Sequence, residues 1–163
     1  MLSEGTVPRQ APPDTLAAPP LLDRAAVQRL VPHQGAMCLL DAIAAWDATR
    51  IVALALSHRD PHNPLRREGD GALPAICGVE YALQAMAAHG ALRAAGRPQP
   101  AGYLSSLRGV EIGAERLDDL PGPLLVTAEA LATEARGFIY RFAVEGGGRR
   151  LLAGQAAIIL PEE

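Results

Sequence analysis

A single carboxylate, Glu80, stands between Gly71 and Gly90, in a run otherwise built from small and apolar residues. Burial in such surroundings raises the pKa of a carboxylic acid, so that it can hold a proton near neutrality and release it as a general acid. Gln84 follows four residues later, the spacing that sets two side chains on one helix face. From there its amide can hold the Glu80 side chain or reach a substrate group. An acid of this kind works with a base, and the chain offers four histidines. His58 and His62 lie in a polar loop just ahead of the acid and are the candidate bases. His33 follows a proline in a segment that reads as structural, its ring bonded to backbone. His89 comes nine residues after Glu80, which is about 900° around a helix and so on the opposite face. It reads as a core or surface residue. No His, Cys or acid grouping shows metal-ligand spacing.

These residues need elements to position them. AICGVEYALQAMAAHGALRAAG, 75–96, predicts the clearest helix: Ile76, Val79, Leu83, Met86, Ala87 and Gly90 recur at three- and four-residue steps. Alanine favours the helix, and the near absence of a polar face predicts that it is buried. Gly96 supplies a stop, with Pro98 just after. Before it, LLDRAAVQRLVPH, 21–33, predicts a short helix capped by Asp23 and ended by Pro32. The stretch 36–57 predicts two strands turning at Asp47-Ala48-Thr49, and 57–74 a long loop. After the central helix, four strands are predicted, separated by turn signals at Pro121-Gly122, Arg136-Gly137 and Gly146–Gly148. Helix, two strands, long helix and four strands make an α+β fold, with a sheet wrapped around one helix. Residues 1–20, with five prolines, read as a disordered tail, and 21–163 as a single domain.

Composition excludes several function classes. Hydrophobic residues make up 49% of the 163, enough for a packed core rather than a disordered chain. The net charge is −3 and no basic stripe is present, which disfavours nucleic acid. All 15 basic residues are Arg, so no lysine Schiff base is available. Cys38 and Cys77 sit among apolar neighbours and read as free thiols of a reducing cytosol. No signal peptide is read, and no run reaches the ~20 apolar residues of a membrane span. The expected location is cytoplasmic.

Pro32-His33 followed by the hydrophobic run to Leu40-Asp41, and the Glu80/Gln84 pair within GVEYALQAMA, resemble two segments of the 3-hydroxyacyl-acyl-carrier-protein dehydratases. The match extends over about residues 22–160, and it is strongest to a subgroup linked to aryl-polyene and related pathways. The resemblance implies a hotdog fold, a dimer or larger assembly, and an acyl thioester carried on the phosphopantetheine of acyl carrier protein or CoA, with no other cofactor. It also implies that a loop His takes the α-proton, that an acid on the neighbouring subunit's helix handles the β-hydroxyl, and that N–H groups at the helix start polarise the thioester carbonyl. On that footing Gly78 and Cys77 join Gln84 as candidate substrate-binding residues. One position departs from the family: its Gly-His-Phe-Pro turn corresponds to Gly71-Ala72-Leu73-Pro74, so Ala72 stands where the base should be. An Ala carries no proton, which leaves His62 or His58 to replace it.

Three functions follow as expectations. The first is dehydration or binding of acyl thioesters in fatty-acid or polyene-type biosynthesis. The second is a hotdog thioesterase in which Glu80 activates water. The third is a non-catalytic subunit that completes a heterodimer with another hotdog protein, in place of a homodimer.

Overall fold

The computed structural model describes residues 20–97, 99, 100 and 102–162. The predicted tail, apart from Pro20, lies outside the described residues, as does Pro98. Helix α1 spans Arg24–Leu30, and the Asp23 carboxylate accepts from the Ala26 N–H at its start. This satisfies one of the N–H groups that a helix N-terminus leaves unpaired. Strands β1 (Ala42–Trp46) and β2 (Arg50–Ala55) form the expected hairpin. Its turn is held by the Asp47 carboxylate, which accepts from the Thr49 and Arg50 N–H groups. Helix α2 spans Gly78–Arg93 after a 3-10 turn at Ala75–Cys77. It ends at Arg93, and the left-handed φ of 59° at Ala95 turns the chain so that the N–H of Gly96, the predicted stop, reaches back to the Ala91 carbonyl at 2.8 Å.

Strands β3 (Tyr103–Ile112), β4 (Leu124–Thr133), β5 (Gly137–Gly146) and β6 (Arg149–Ile159) complete one antiparallel sheet in the order β1-β2-β4-β5-β6-β3. The alternation of the strands fixes which face meets the helix. Leu124, Val126 and Ala128 of β4 are buried, as are Tyr140, Phe142 and Val144 of β5. On α2, Ala82, Ala85 and Ala88 are fully buried, and their small side chains let the helix lie close to the sheet. The two sheet edges differ. Strand β1 is covered by the chain at Leu22, which exchanges backbone hydrogen bonds with Ile43. Strand β3 has one neighbour, β6, and exposes Tyr103, Leu104, Leu107 and Ile112. A long apolar edge of this kind is a template for pairing with another chain.

No helix among the described residues is long and apolar enough to cross a membrane.

Candidate active site

Glu80 lies in the first turn of α2 and keeps about a third of its side chain accessible. Its Oε1 stands 3.0 Å from Nε2 of His33. The partner of the acid is therefore the histidine read from sequence as structural. His58 and His62, the two expected bases, are not brought to it within this chain. His58 is fully buried, with Nε2 3.2 Å from the Leu120 carbonyl oxygen. His62 sits in the loop beside Asp60, whose carboxylate accepts from the His62 N–H, and lines a different, polar depression with Arg24, Asp41 and Asn63. Proximity to the acid in sequence had favoured both. The tertiary fold instead returns the Pro32-His33 turn, forty-seven residues upstream of Glu80, to the start of α2.

Gln84 shows how that return is fixed. Its amide is fully buried and spans two elements: Oε1 accepts from the Leu39 N–H at 2.8 Å, and Nε2 donates to the Met37 carbonyl at 2.7 Å. The same Nε2 is 3.4 Å from Glu80 Oε1. Gln84 thus clamps the segment after His33 to the helix and directs a donor at the carboxylate. Arg24 supports the segment from the outer side, donating to the Gly35 and Leu40 carbonyls. Nδ1 of His33 is buried without a hydrogen-bond partner in the described structure. Usually the second ring nitrogen fixes the tautomer of a working histidine. Here the Glu80 carboxylate is the polar partner that the described structure gives the ring, and it orients Nε2 toward Oε1.

The pair opens on a cavity of about 350 Å³, within the range of small-molecule sites. The groove follows one face of α2 from Glu80 through Leu83 and Ala87 to Gly90. Phe138 and Ile158 form part of the opposite wall. Gly78 and Cys77 lie elsewhere. A Cβ on Gly78 would stand 2.9 Å from Leu152 Cδ2, so that glycine serves close packing of the helix start on the sheet. Cys77 is half-buried with its Sγ 4.0 Å from the Leu65 carbonyl, and burial pushes its thiol pKa up. Ala72, where the related histidine was expected, is buried and outside the cavity.

His89 is a core residue, as its helix angle implied. Nδ1 lies 2.9 Å from the Tyr140 hydroxyl and Nε2 2.8 Å from the Asp47 carbonyl oxygen. It ties the cavity wall at Tyr140 to the β1–β2 turn. Burial lowers the pKa of His58 and His89 below the ordinary 6.5. As pH falls below about 6.5, the unfolded chain takes up protons at these rings that the folded chain refuses, so stability falls with pH down to the folded pKa values. The denaturant midpoint is accordingly expected to drop between about pH 6.5 and pH 5, a window above the ordinary carboxylate range. His89→Gln should flatten part of that slope, and a midpoint independent of pH there would contradict the assignment of buried neutral rings.

A curved antiparallel sheet around one long helix, with an acid–imidazole pair at the head of an apolar groove, defines a hotdog-fold protein of the α+β class. The chain belongs to the ApeP-like family, described as ApeP dehydratase, whose family model matches residues 25–163. No protein of curated function matches it. Among solved structures it is similar to the dehydratase heterocomplex ApeI:P from Xenorhabdus doucetiae, with a TM-score of 0.73 and 19% identity over 84% of this chain and 91% of that one. It is similar to AziG from S. sahachiroi, with a TM-score of 0.54 and 16% identity over 78% and 94%. A thioesterase from Haemophilus influenzae gives a TM-score of 0.51 and 12% identity over 72% and 76%. At these identities the structural likenesses establish the fold.

Proposed function

We propose that the chain dehydrates 3-hydroxyacyl thioesters, with Glu80 and His33 as the acid–base pair and the groove along α2 as the acyl site. The observation that carries this reading is the 3.0 Å contact between the two side chains at the mouth of an apolar cavity. Elimination of water breaks the α C–H and β C–O bonds and forms a C=C bond. The imidazole takes the α-proton, while the protonated carboxyl gives its proton to the departing hydroxyl, which leaves as water. The imidazolium then returns the proton across Nε2···Oε1, and the pair is restored. Each step uses proton transfers that a positioned side chain accelerates by about 10²–10⁴-fold. Membership of a dehydratase family supports this chemistry over water attack on the thioester.

The exposed edge of β3 belongs to the same reading. Gly102 and Leu104, at the start of that edge, also line the cavity, so a strand paired to β3 would border the site. A second hotdog subunit is the proposed partner there, and the name of the ApeI:P heterocomplex favours a different chain over a second copy. The carrier arm, from acyl carrier protein or CoA, would enter at the Glu80–His33 end of the groove, where the thioester must lie.

The test is turnover of 3-hydroxyacyl-pantetheine thioesters by the purified chain, alone and with a co-expressed hotdog subunit, followed by enoyl absorbance and by free thiol. Enoyl product without thiol supports the dehydratase. Thiol release without enoyl product would replace it with the thioesterase reading, and neither product in any combination would leave the chain a non-catalytic subunit.

A further inference from the structure

Gly90 is a buried glycine near the last turn of a long helix, where alanine would be the more favourable residue by about 1 kcal/mol. Its backbone conformation does not demand glycine, for its φ is not among the positive values of the chain. The demand comes from space. A Cβ at this position would stand 2.8 Å from Oε1 and 3.3 Å from Cδ of Gln99. The Gln99 side chain therefore lies directly on the helix backbone. Both residues line the cavity, and they do so at its far end: Gly90 is ten residues from Glu80, or about 15 Å along the helix axis. Between the two ends the helix presents Leu83 and Ala87, both apolar. The groove thus has the Glu80–His33 pair at one end and the Gln99 side chain seated on the helix at the other.

We infer that Gln99, seated on Gly90, closes the acyl groove and sets the longest chain that the site accepts. This rests on the acyl-thioester reading and adds to it a residue that selects the substrate. Gln99 acts as a gate because its side chain has no Cβ beneath it and can lie flat on α2. The selected chain is of medium length, since the groove gives it about 15 Å from the reacting carbons to the stop.

Two substitutions move the stop in opposite directions. Gly90→Leu fills the seat and pushes the closure toward Glu80. Gln99→Ala removes it and lengthens the groove. The probe is a series of saturated acyl-pantetheine amides of increasing length, which bind without turnover, titrated into the full-length chain by calorimetry. Each methylene shut out of the groove costs about fourfold in affinity. The ratio of long-chain to short-chain affinity is expected to fall about fifteenfold in Gly90→Leu, for two methylenes excluded, and to rise by a similar factor in Gln99→Ala. If Gly90→Leu fails to fold, Gln99→Ala decides the matter, being a truncation of a half-buried side chain. A wild-type cutoff retained in the folded variants, or a shift in the same direction in both, would overturn the gate while leaving the acyl site in place. Binding of no member by the wild type would overturn the acyl reading itself, and the gate with it.

Discussion

Glu80→Gln is expected to lower the rate of 3-hydroxyacyl thioester dehydration by about 10²–10⁴-fold, with little change in substrate affinity. The amide keeps the size of the carboxyl group and a hydrogen-bonding contact with His33, now 3.0 Å from the wild-type Oε1, but it has no proton to exchange. His33→Ala is expected to fall by a similar factor, since it removes the other end of the same proton path. The double variant should be little worse than either single one, because residues that act as a unit lose their function together. This non-additivity separates a working pair from two independent contributors. His58→Gln and His62→Gln serve as comparisons. Neither side chain lines the cavity, and a loss at His62→Gln equal to that at His33→Ala would return the base to the loop. Turnover of Glu80→Gln at the wild-type rate would remove the carboxylate from the mechanism.

The second large effect is on stability. Gln84→Leu is expected to destabilise the fold by about 2–6 kcal/mol, because it leaves the buried Leu39 N–H and the part-buried Met37 carbonyl without partners, at about 1–3 kcal/mol for each group. Leu is close in volume to Gln, so the loss reflects polar satisfaction rather than a cavity. Gln84→Glu refines the cause. Its carboxylate can still accept from the Leu39 N–H, but it cannot donate to Met37 and it places a second carboxyl group one turn from Glu80. It should therefore lose at least as much stability as Gln84→Leu, since a buried carboxylate faces the Met37 carbonyl oxygen, while raising the pH at which activity depends on protonation, because a like charge disfavours ionisation. Equilibrium denaturation and a pH–rate profile measure the two. A change in stability below about 0.5 kcal/mol for Gln84→Leu, the size of an ordinary surface substitution, would show that the clamp contributes nothing.

The contrast between Gln84 and the histidines shows where sequence reasoning succeeded. A polar residue four positions after a lone acid, on a helix apolar all round, had to find a partner, and the helical period alone put it beside Glu80. The same period sent His89 to the opposite face and into the core. The elements were equally legible. The two strands around Asp47, the long helix ahead of Gly96 and the four later strands all carry periodic apolar residues and turn chemistry that act over a few neighbours.

The sequence by itself determined the α+β order of elements, the burial of the central helix, and the identity of Glu80 as its one charged interior candidate. Those are local properties: propensity, spacing and polarity are set within a turn or a strand pair. Only the tertiary structure decided which histidine meets that acid. His33 and Glu80 are forty-seven residues apart, and no periodicity connects them. Their contact exists because α1 and the β1–β2 hairpin pack against α2, and because a buried glutamine offers the intervening backbone the two hydrogen bonds that hold it there. The seat of Gln99 on Gly90 has the same origin. A glycine in a helix reads as a weak point in sequence and becomes a contact only when the chain beyond Gly96 folds back over it.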